Sequence, residues 1–176
     1  MKIVFCHKGT KTQRSTKNSL ATDLGLGALA FIAVGTTSVA GQLATYPNLE
    51  PWYANLIKPS FNPPNWIFAP IWTTLYILMA FAFWRILRLP LSQARRRGAI
   101  LFLSLLVLNA AWSWMFFGAN SPTWGLINIV PQLALVVVTI ITFYPLDRYA
   151  AWCLVPLAGW VAFAGVLNFS IWRLNG

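Results

Sequence analysis

The sequence predicts an all-α membrane protein, a five-transmembrane-helix bundle with a structured loop between helices one and two. The chain has 176 residues, of which 58% are hydrophobic and only 9% are charged. Soluble domains average about 45 to 50% apolar and about 25% charged residues. A water-facing surface of the ordinary kind cannot be built from this composition, so lipid is the solvent that fits the chain.

Five apolar runs each approach or exceed the roughly 20 residues that a helix needs to cross a bilayer. They extend over about residues 20–46, 65–89, 99–118, 122–144 and 149–173. We therefore divide the chain into a basic polar tail, residues 1–19, and a transmembrane domain, residues 20–176. Pro122 stands at the first turn of helix four, where its missing N–H costs nothing, whereas Pro131 and Pro156 fall inside spans and are expected to kink them.

The basic residues are gathered between and before the apolar runs. Of the 13 lysines and arginines, 11 lie in the tail, between helices two and three, or between helices four and five. With five spans these segments share one side, so the positive-inside rule predicts a cytoplasmic N-terminus. We expect the membrane to be that of a bacterial cell. The charge therefore indicates topology and no nucleic-acid partner.

Two processing alternatives remain open for the N-terminal region. Residues 1–19 combine Lys, Arg, Ser and Thr with no acid, which also suits a transit peptide and an organelle membrane. The sequence Ser38-Val39-Ala40 ends an apolar stretch and resembles a signal-peptidase site, and cleavage there leaves four spans. We expect the tail and the first helix to be retained.

The residues of conventional catalysis and ion coupling are missing from the apolar runs. The only acids are Asp23, Glu50 and Asp147, near helix ends or in loops, and the only histidine is His7 in the tail. Pumps and coupled carriers place ionisable groups inside the membrane, and acid–base enzymes need paired carboxylates or histidines. We therefore expect no ion pump, no metal site and no conventional enzyme.

Aromatic residues are abundant, with 10 Trp, 12 Phe and 5 Tyr. Many near helix ends, among them Trp52, Trp66, Trp84, Trp152 and Trp172, fit an interfacial belt. Others follow helical spacing on single faces. These faces comprise Ala69, Trp72, Tyr76, Met79 and Phe83 on helix two; Asn109, Trp112 and Phe116 on helix three; and Trp160, Ala164, Leu167, Asn168 and Ile171 on helix five. Turned inward, they predict either an aromatic cavity for a flat conjugated ligand or plain interhelical packing, and spacing alone leaves both open.

The loop between helices one and two has an unusual composition. From residue 52 to 66 it runs WYANLIKPSFNPPNW, in which aromatic residues alternate with Pro, Asn and Lys58. This pattern suits a structured lid at the membrane interface, or else a simple anchored connector.

Four motifs in matching order resemble the translocator protein family, also called tryptophan-rich sensory proteins or peripheral-type benzodiazepine receptors. They are WYANLIKPSFNPP in the loop, APIWTTLY at 69–76, NAAWSWMFFG at 109–118 and GWVAFAGVLNFSIWRLN at 159–175. The likeness covers about residues 25–175. It implies a five-helix bundle, often a homodimer, that binds tetrapyrroles beneath the first loop.

The resemblance also implies a ligand and a site. No cofactor is required, and protoporphyrin IX or haem is the expected ligand. Carried over by position, the ligand-binding residues are Tyr53, Trp72, Tyr76, Asn109, Trp112, Trp124, Trp160, Ala164 and Leu167. In some bacterial relatives two deep tryptophans, here Trp72 and Trp160, are linked to light-dependent porphyrin breakdown, so both are candidate catalytic residues.

The implied function is that of a membrane receptor or sensor that binds porphyrins and regulates a tetrapyrrole or stress response. A light-dependent porphyrin-degrading enzyme and a tetrapyrrole transporter are the alternatives. Cholesterol is not expected as a partner, because Phe169 stands where the sterol-associated stretch of animal members has a tyrosine. Haem ligation has only Cys153 as a candidate inside the spans.

Overall fold

A computed structural model of the chain describes residues 19–176, and the predicted tail with Cys6 and His7 lies outside the described residues except for Ser19. The five helices are α1 (Leu20–Thr45), α2 (Asn65–Leu87), α3 (Gln93–Ser113), α4 (Pro122–Phe143) and α5 (Arg148–Asn175). Each is long and apolar enough to cross a membrane, and no strand occurs between residues 19 and 176. The predicted fold class and number of spans are confirmed.

Helix α3 begins earlier than predicted. It starts at Gln93, and the prediction of residue 99 was wrong because an apolar run marks the membrane edge and not the helix end. The hydroxyl of Ser92 accepts a hydrogen bond from the Arg95 amide at 3.1 Å, which caps the helix. Arginines are also good helix formers, so the first turn of α3 extends past the apolar run.

Short turns of other helix types extend two of the spans. Helix α1 continues through a 3-10 turn at Tyr46–Asn48 and a π-helical turn at Leu49–Tyr53, and α3 continues through a π-helical turn at Trp114–Gly118. Helices α4 and α5 run on through Pro131 and Pro156. The loop of residues 54–64, called the lid below, connects the end of this first span to α2.

One half of the bundle is solidly packed. The rings of Phe83 and Phe102 stack at 4.6 Å between centroids, and Phe102 stacks on Phe143 at 6.1 Å. Gly98 lets Phe143 approach, since a Cβ there would lie 3.1 Å from its ring. This core fills the end of the bundle where α2 finishes and α5 begins.

Two ion pairs join helix ends beside this core. Arg85 on α2 meets Asp147, the residue before α5, at 2.8 Å, and Arg88 binds both carboxylate oxygens of Asp23 on α1 at 3.0 Å. Partial burial raises the pKa of Asp147, but the hydrogen bonds from Arg85 and the Ala150 amide outweigh it and hold the pKa below the ordinary value. We call this region the arginine end, and the opposite end the lid end.

Candidate functional site

A cavity of about 320 Å³ opens inside the lid half of the bundle. Helices α1, α2, α3 and α5 supply most of its wall, with Ile129 and Gln132 from α4 and Leu49 and Tyr53 from the turn before the lid. Its volume falls at the small end of the range of about 300 to 1,000 Å³ found for ligand sites.

Eight of the nine residues predicted to bind ligand line this cavity. They are Tyr53, Trp72, Tyr76, Asn109, Trp112, Trp160, Ala164 and Leu167. The ninth, Trp124, does not line it: it lies in the first turn of α4 with its side chain 53% exposed. This placement brings the predicted residues together, and their contact with a ligand stays a prediction.

The predicted helix faces divide between cavity and core. The α3 and α5 faces line the cavity along their whole length, from Asn109 to Phe116 and from Trp160 to Ile171. On α2 only the first half of the face does so, whereas Met79 and Phe83 are buried in the solid core. The predicted faces therefore contribute both to a cavity and to interhelical packing, at different depths.

Aromatic rings form much of the wall. Trp72 and Tyr76 stack with their centroids 5.3 Å apart and their planes at 29°. Trp112 stacks on Phe116 at 5.1 Å and 15°. Trp160 meets Phe68 edge to face at 5.8 Å. The cavity thus offers ring faces and edges to a flat partner.

The polar side chains of the cavity wall are hydroxyl, amide and indole groups, and none of those described is charged. The Tyr76 hydroxyl donates to Asn109 Oδ1 at 3.1 Å, which fixes the orientation of that amide. Trp112 Nε1 is buried without a hydrogen-bond partner in the described chain. No Asp, Glu, Lys, Arg or His is present among the lining residues that the structure describes.

Hydrogen bonds hold the lid in place at the end of the cavity. The Asn175 side chain accepts from the Ile57 amide and donates to the Ile57 carbonyl, both at 2.9 Å. The Tyr53 hydroxyl donates to Asn62 Oδ1 at 3.3 Å. The loop is therefore anchored to the last turn of α5 and to the cavity wall, as expected for a structured lid.

The tryptophans predicted to form an interfacial belt differ in their exposure and in their contacts. Trp66 and Trp152 are mostly exposed, as expected for an interfacial belt. Trp84, in contrast, donates to the Asp23 carbonyl at 3.2 Å, and Trp52 packs edge to face on Phe116 at 5.4 Å. Trp52 thus packs against Phe116, a residue of the cavity wall, without lining the cavity itself.

Sequence reasoning missed the contribution of α1. Ser38, Gly41, Gln42 and Thr45 line the cavity from that helix. Their spacing of three and four residues is a signal that could have identified this face. Gly41 brings α1 close to α3, since a Cβ there would lie 3.1 Å from Ser113 Oγ.

The described lining lacks several of the side chains that commonly ligate haem iron. It contains no His, Cys or Met among the residues described, and Cys153 packs against the solid core instead. Nor does any group of three or more His, Cys, Asp and Glu between residues 19 and 176 form a metal site. Tyr46, Tyr53 and Tyr76 are the lining side chains of a type that can ligate haem iron.

Comparison with known proteins identifies one family and several relatives within it. Residues 28–173 match the model of the TspO/MBR family. The chain is similar to tryptophan-rich protein TspO of Chlorobaculum tepidum, with 40% identity over 145 residues, 82% of this chain and 90% of the relative. It is 34% identical to the tryptophan-rich sensory protein of Cereibacter sphaeroides over 84% of this chain and 90% of that one. It is 38% identical to the translocator protein of Sus scrofa over 70% of this chain and 75% of the relative.

Proposed function

This chain belongs to the TspO/MBR family, and from that premise we propose that its cavity binds a porphyrin such as protoporphyrin IX and that binding regulates a tetrapyrrole or stress response. Membership of a family with translocator and sensory proteins supports the role of membrane sensor or receptor. The observation that carries the ligand proposal is the uncharged, aromatic wall of the cavity.

The physical support comes from the match between wall and ligand. A porphyrin is flat, conjugated and largely apolar, so it gains from burial and from contact with ring faces. Each favourable aromatic pair contributes about 0.5 to 1.5 kcal/mol beyond the area it buries. Trp72, Trp112 and Trp160 stand on three different helices, so one flat ligand between them can meet several rings.

Titration with protoporphyrin IX tests the proposal. We expect saturable quenching of tryptophan fluorescence in the purified protein, together with a shift of the porphyrin absorbance band. Trp72→Phe and Trp160→Phe remove two of the nearest indoles and should each reduce the quenching. Quenching no stronger than in an unrelated membrane helix bundle would refute porphyrin binding.

We also propose that the lid end faces away from the cytoplasm. Among the described residues six arginines lie at the arginine end, whereas Lys58 and Arg173 lie at the lid end, and this imbalance follows the positive-inside rule. In a background without the native cysteines, Ser60→Cys should react with a membrane-impermeant maleimide in intact cells, and Leu91→Cys should react only after lysis. The reverse pattern would contradict this orientation.

Light-dependent porphyrin breakdown is the second candidate function. The observation that favours it is the stacked pair of Trp72 and Tyr76 in the cavity wall, because an indole beside an excited porphyrin is an electron donor. With dioxygen present, illumination should then bleach bound porphyrin, and Trp72→Phe should slow the bleaching. Porphyrin that stays bound and unchanged in the light would reject this activity and leave the sensor proposal standing.

A further inference from the structure

We propose that Lys58 in the lid binds a carboxylate of the ligand, so that the ring system lies in the cavity and the acid group lies at its mouth. The inference rests on the proposed function and narrows its ligand class to amphiphilic aromatic acids. Lys58 is thereby a positioning and specificity residue.

The absence of charge from the cavity wall motivates the proposal. Carboxylates such as the two of protoporphyrin IX are ionised near neutral pH. Moving an ionised carboxylate into an apolar site without a partner is strongly unfavourable. Because the described lining has no cation, the acid groups must remain outside the aromatic region, at an end where a cation or water can meet them.

The position of Lys58 fits this requirement. Its Nζ lies 4.6 Å from the centroid of the Tyr53 ring, and Tyr53 is a lining residue that is only 7% exposed. The ammonium group thus lies over the ring of a residue that forms part of the cavity wall. A long, flexible side chain can move from there to the mouth with small changes in its torsions.

The partners of the ammonium group among residues 19–176 are neutral. Nζ donates to the carbonyl oxygens of Ala54 and Leu56, both at 3.1 Å. The two ion pairs between residues 19 and 176 involve Arg85 and Arg88 at the far end of the bundle. Burial lowers the pKa of Lys58, because removal from water disfavours the charged form. A ligand carboxylate would supply the missing counter-charge.

Arg173 provides the matched control. It is the other cation at the lid end, but it stands near the opposite face of α5 from Trp160, Ala164 and Leu167. Its side chain is therefore directed away from the cavity. Removing its charge alters the overall electrostatics of the lid end and leaves the mouth unchanged.

The test compares protoporphyrin IX with its dimethyl ester, which has the same ring and no carboxylate. We expect Lys58→Met to weaken binding of the diacid by about tenfold to a hundredfold, the range for a charge-assisted hydrogen bond. In Lys58→Met the affinity for the ester should change by less than about twofold. Arg173→Gln should leave the affinity for both compounds unchanged. Lys58→Arg should retain most of the affinity for the diacid.

Three outcomes overturn the inference. An equal loss for diacid and ester in Lys58→Met would assign Lys58 a structural role in the lid. Unchanged affinity for the diacid would show that its carboxylates are bound elsewhere. If the unaltered protein binds neither compound, the proposed function itself fails, and the inference fails with it.

Discussion

Gly125 on α4 is expected to be intolerant of a side chain, and Gly159 on α5 serves as its matched control. A Cβ at Gly125 would lie 2.6 Å from Asn168 Oδ1 and 2.7 Å from the ring of Phe116. A Cβ at Gly159 would have nothing within 4 Å. Both residues lie inside helices, so the two alanine substitutions differ mainly in the clash.

The expected free-energy changes follow from two opposing effects. Replacing glycine by alanine within a helix stabilises it by up to about 1 kcal/mol, and this gain is common to both variants. Overpacking a filled site costs about 1 to 3 kcal/mol, and only Gly125→Ala incurs it. We therefore expect Gly125→Ala to be less stable than Gly159→Ala by about 1 to 3 kcal/mol.

Thermal or detergent-induced unfolding, followed by circular dichroism, measures this difference. The displaced Phe116 ring stacks on Trp112, so Gly125→Ala should also weaken porphyrin binding, whereas Gly159→Ala should not. Equal stability of the two variants would show that α4 and α5 can separate without loss, and would refute the close packing described for this side of the cavity.

Three further perturbations have defined outcomes. Asn175→Ala removes both hydrogen bonds to the Ile57 main chain. Deuterium exchange of the lid peptide should therefore accelerate about tenfold. Unchanged exchange would show that this contact does not hold the lid. Tyr76→Phe keeps a ring on the cavity wall but removes the hydroxyl that donates to Asn109. It should lower the free energy of unfolding by about 1 to 2 kcal/mol. An unchanged free energy of unfolding would contradict that hydrogen bond. Because the pKa of Asp147 is lowered by folding, its stabilising effect is present above the unfolded pKa of about 3.9 and is lost as pH falls through the lower, folded value. The unfolding temperature of the unaltered protein should therefore fall more steeply below about pH 4 than that of Asp147→Asn, and parallel curves would refute this linkage.

Composition and periodicity were sufficient to predict the helices because lipid imposes a length and an apolar surface on every span. They could not predict where α3 begins. The arginines before its apolar run belong to the same helix, since the Ser92 cap and not the membrane edge decides where it starts. Hydropathy and helix boundaries are separate properties, and they diverge wherever a helix continues into the interface.

The cavity could be predicted in part from the helical spacing of its lining residues. Spacing identified Trp160, Ala164 and Leu167 as one face of a helix, and the bundle turns that face inward. Spacing could not tell the cavity half of the α2 face from the core half, because both are apolar and periodic. The difference depends on the neighbours: Phe102 on α3 stacks against Phe83, whereas Trp72 borders the open cavity.

Contacts between distant segments were beyond prediction. The hydrogen bonds between Asn175 and Ile57 join residues 118 positions apart, and no local pattern marks either partner. Trp124 illustrates the converse case. Its assignment came from family resemblance by position, and the structure places its side chain outside the cavity because it lies in the exposed first turn of α4.

The most direct test of porphyrin binding in the aromatic cavity is to fill that cavity from within. Ala164 lines it, whereas Ala162, on the same helix, is exposed on the outer surface of the bundle. In parallel titrations with protoporphyrin IX, Ala164→Phe should weaken binding at least tenfold, and Ala162→Phe should bind like the unaltered protein. Equal affinity of Ala164→Phe and the unaltered protein would show that the porphyrin does not occupy this cavity.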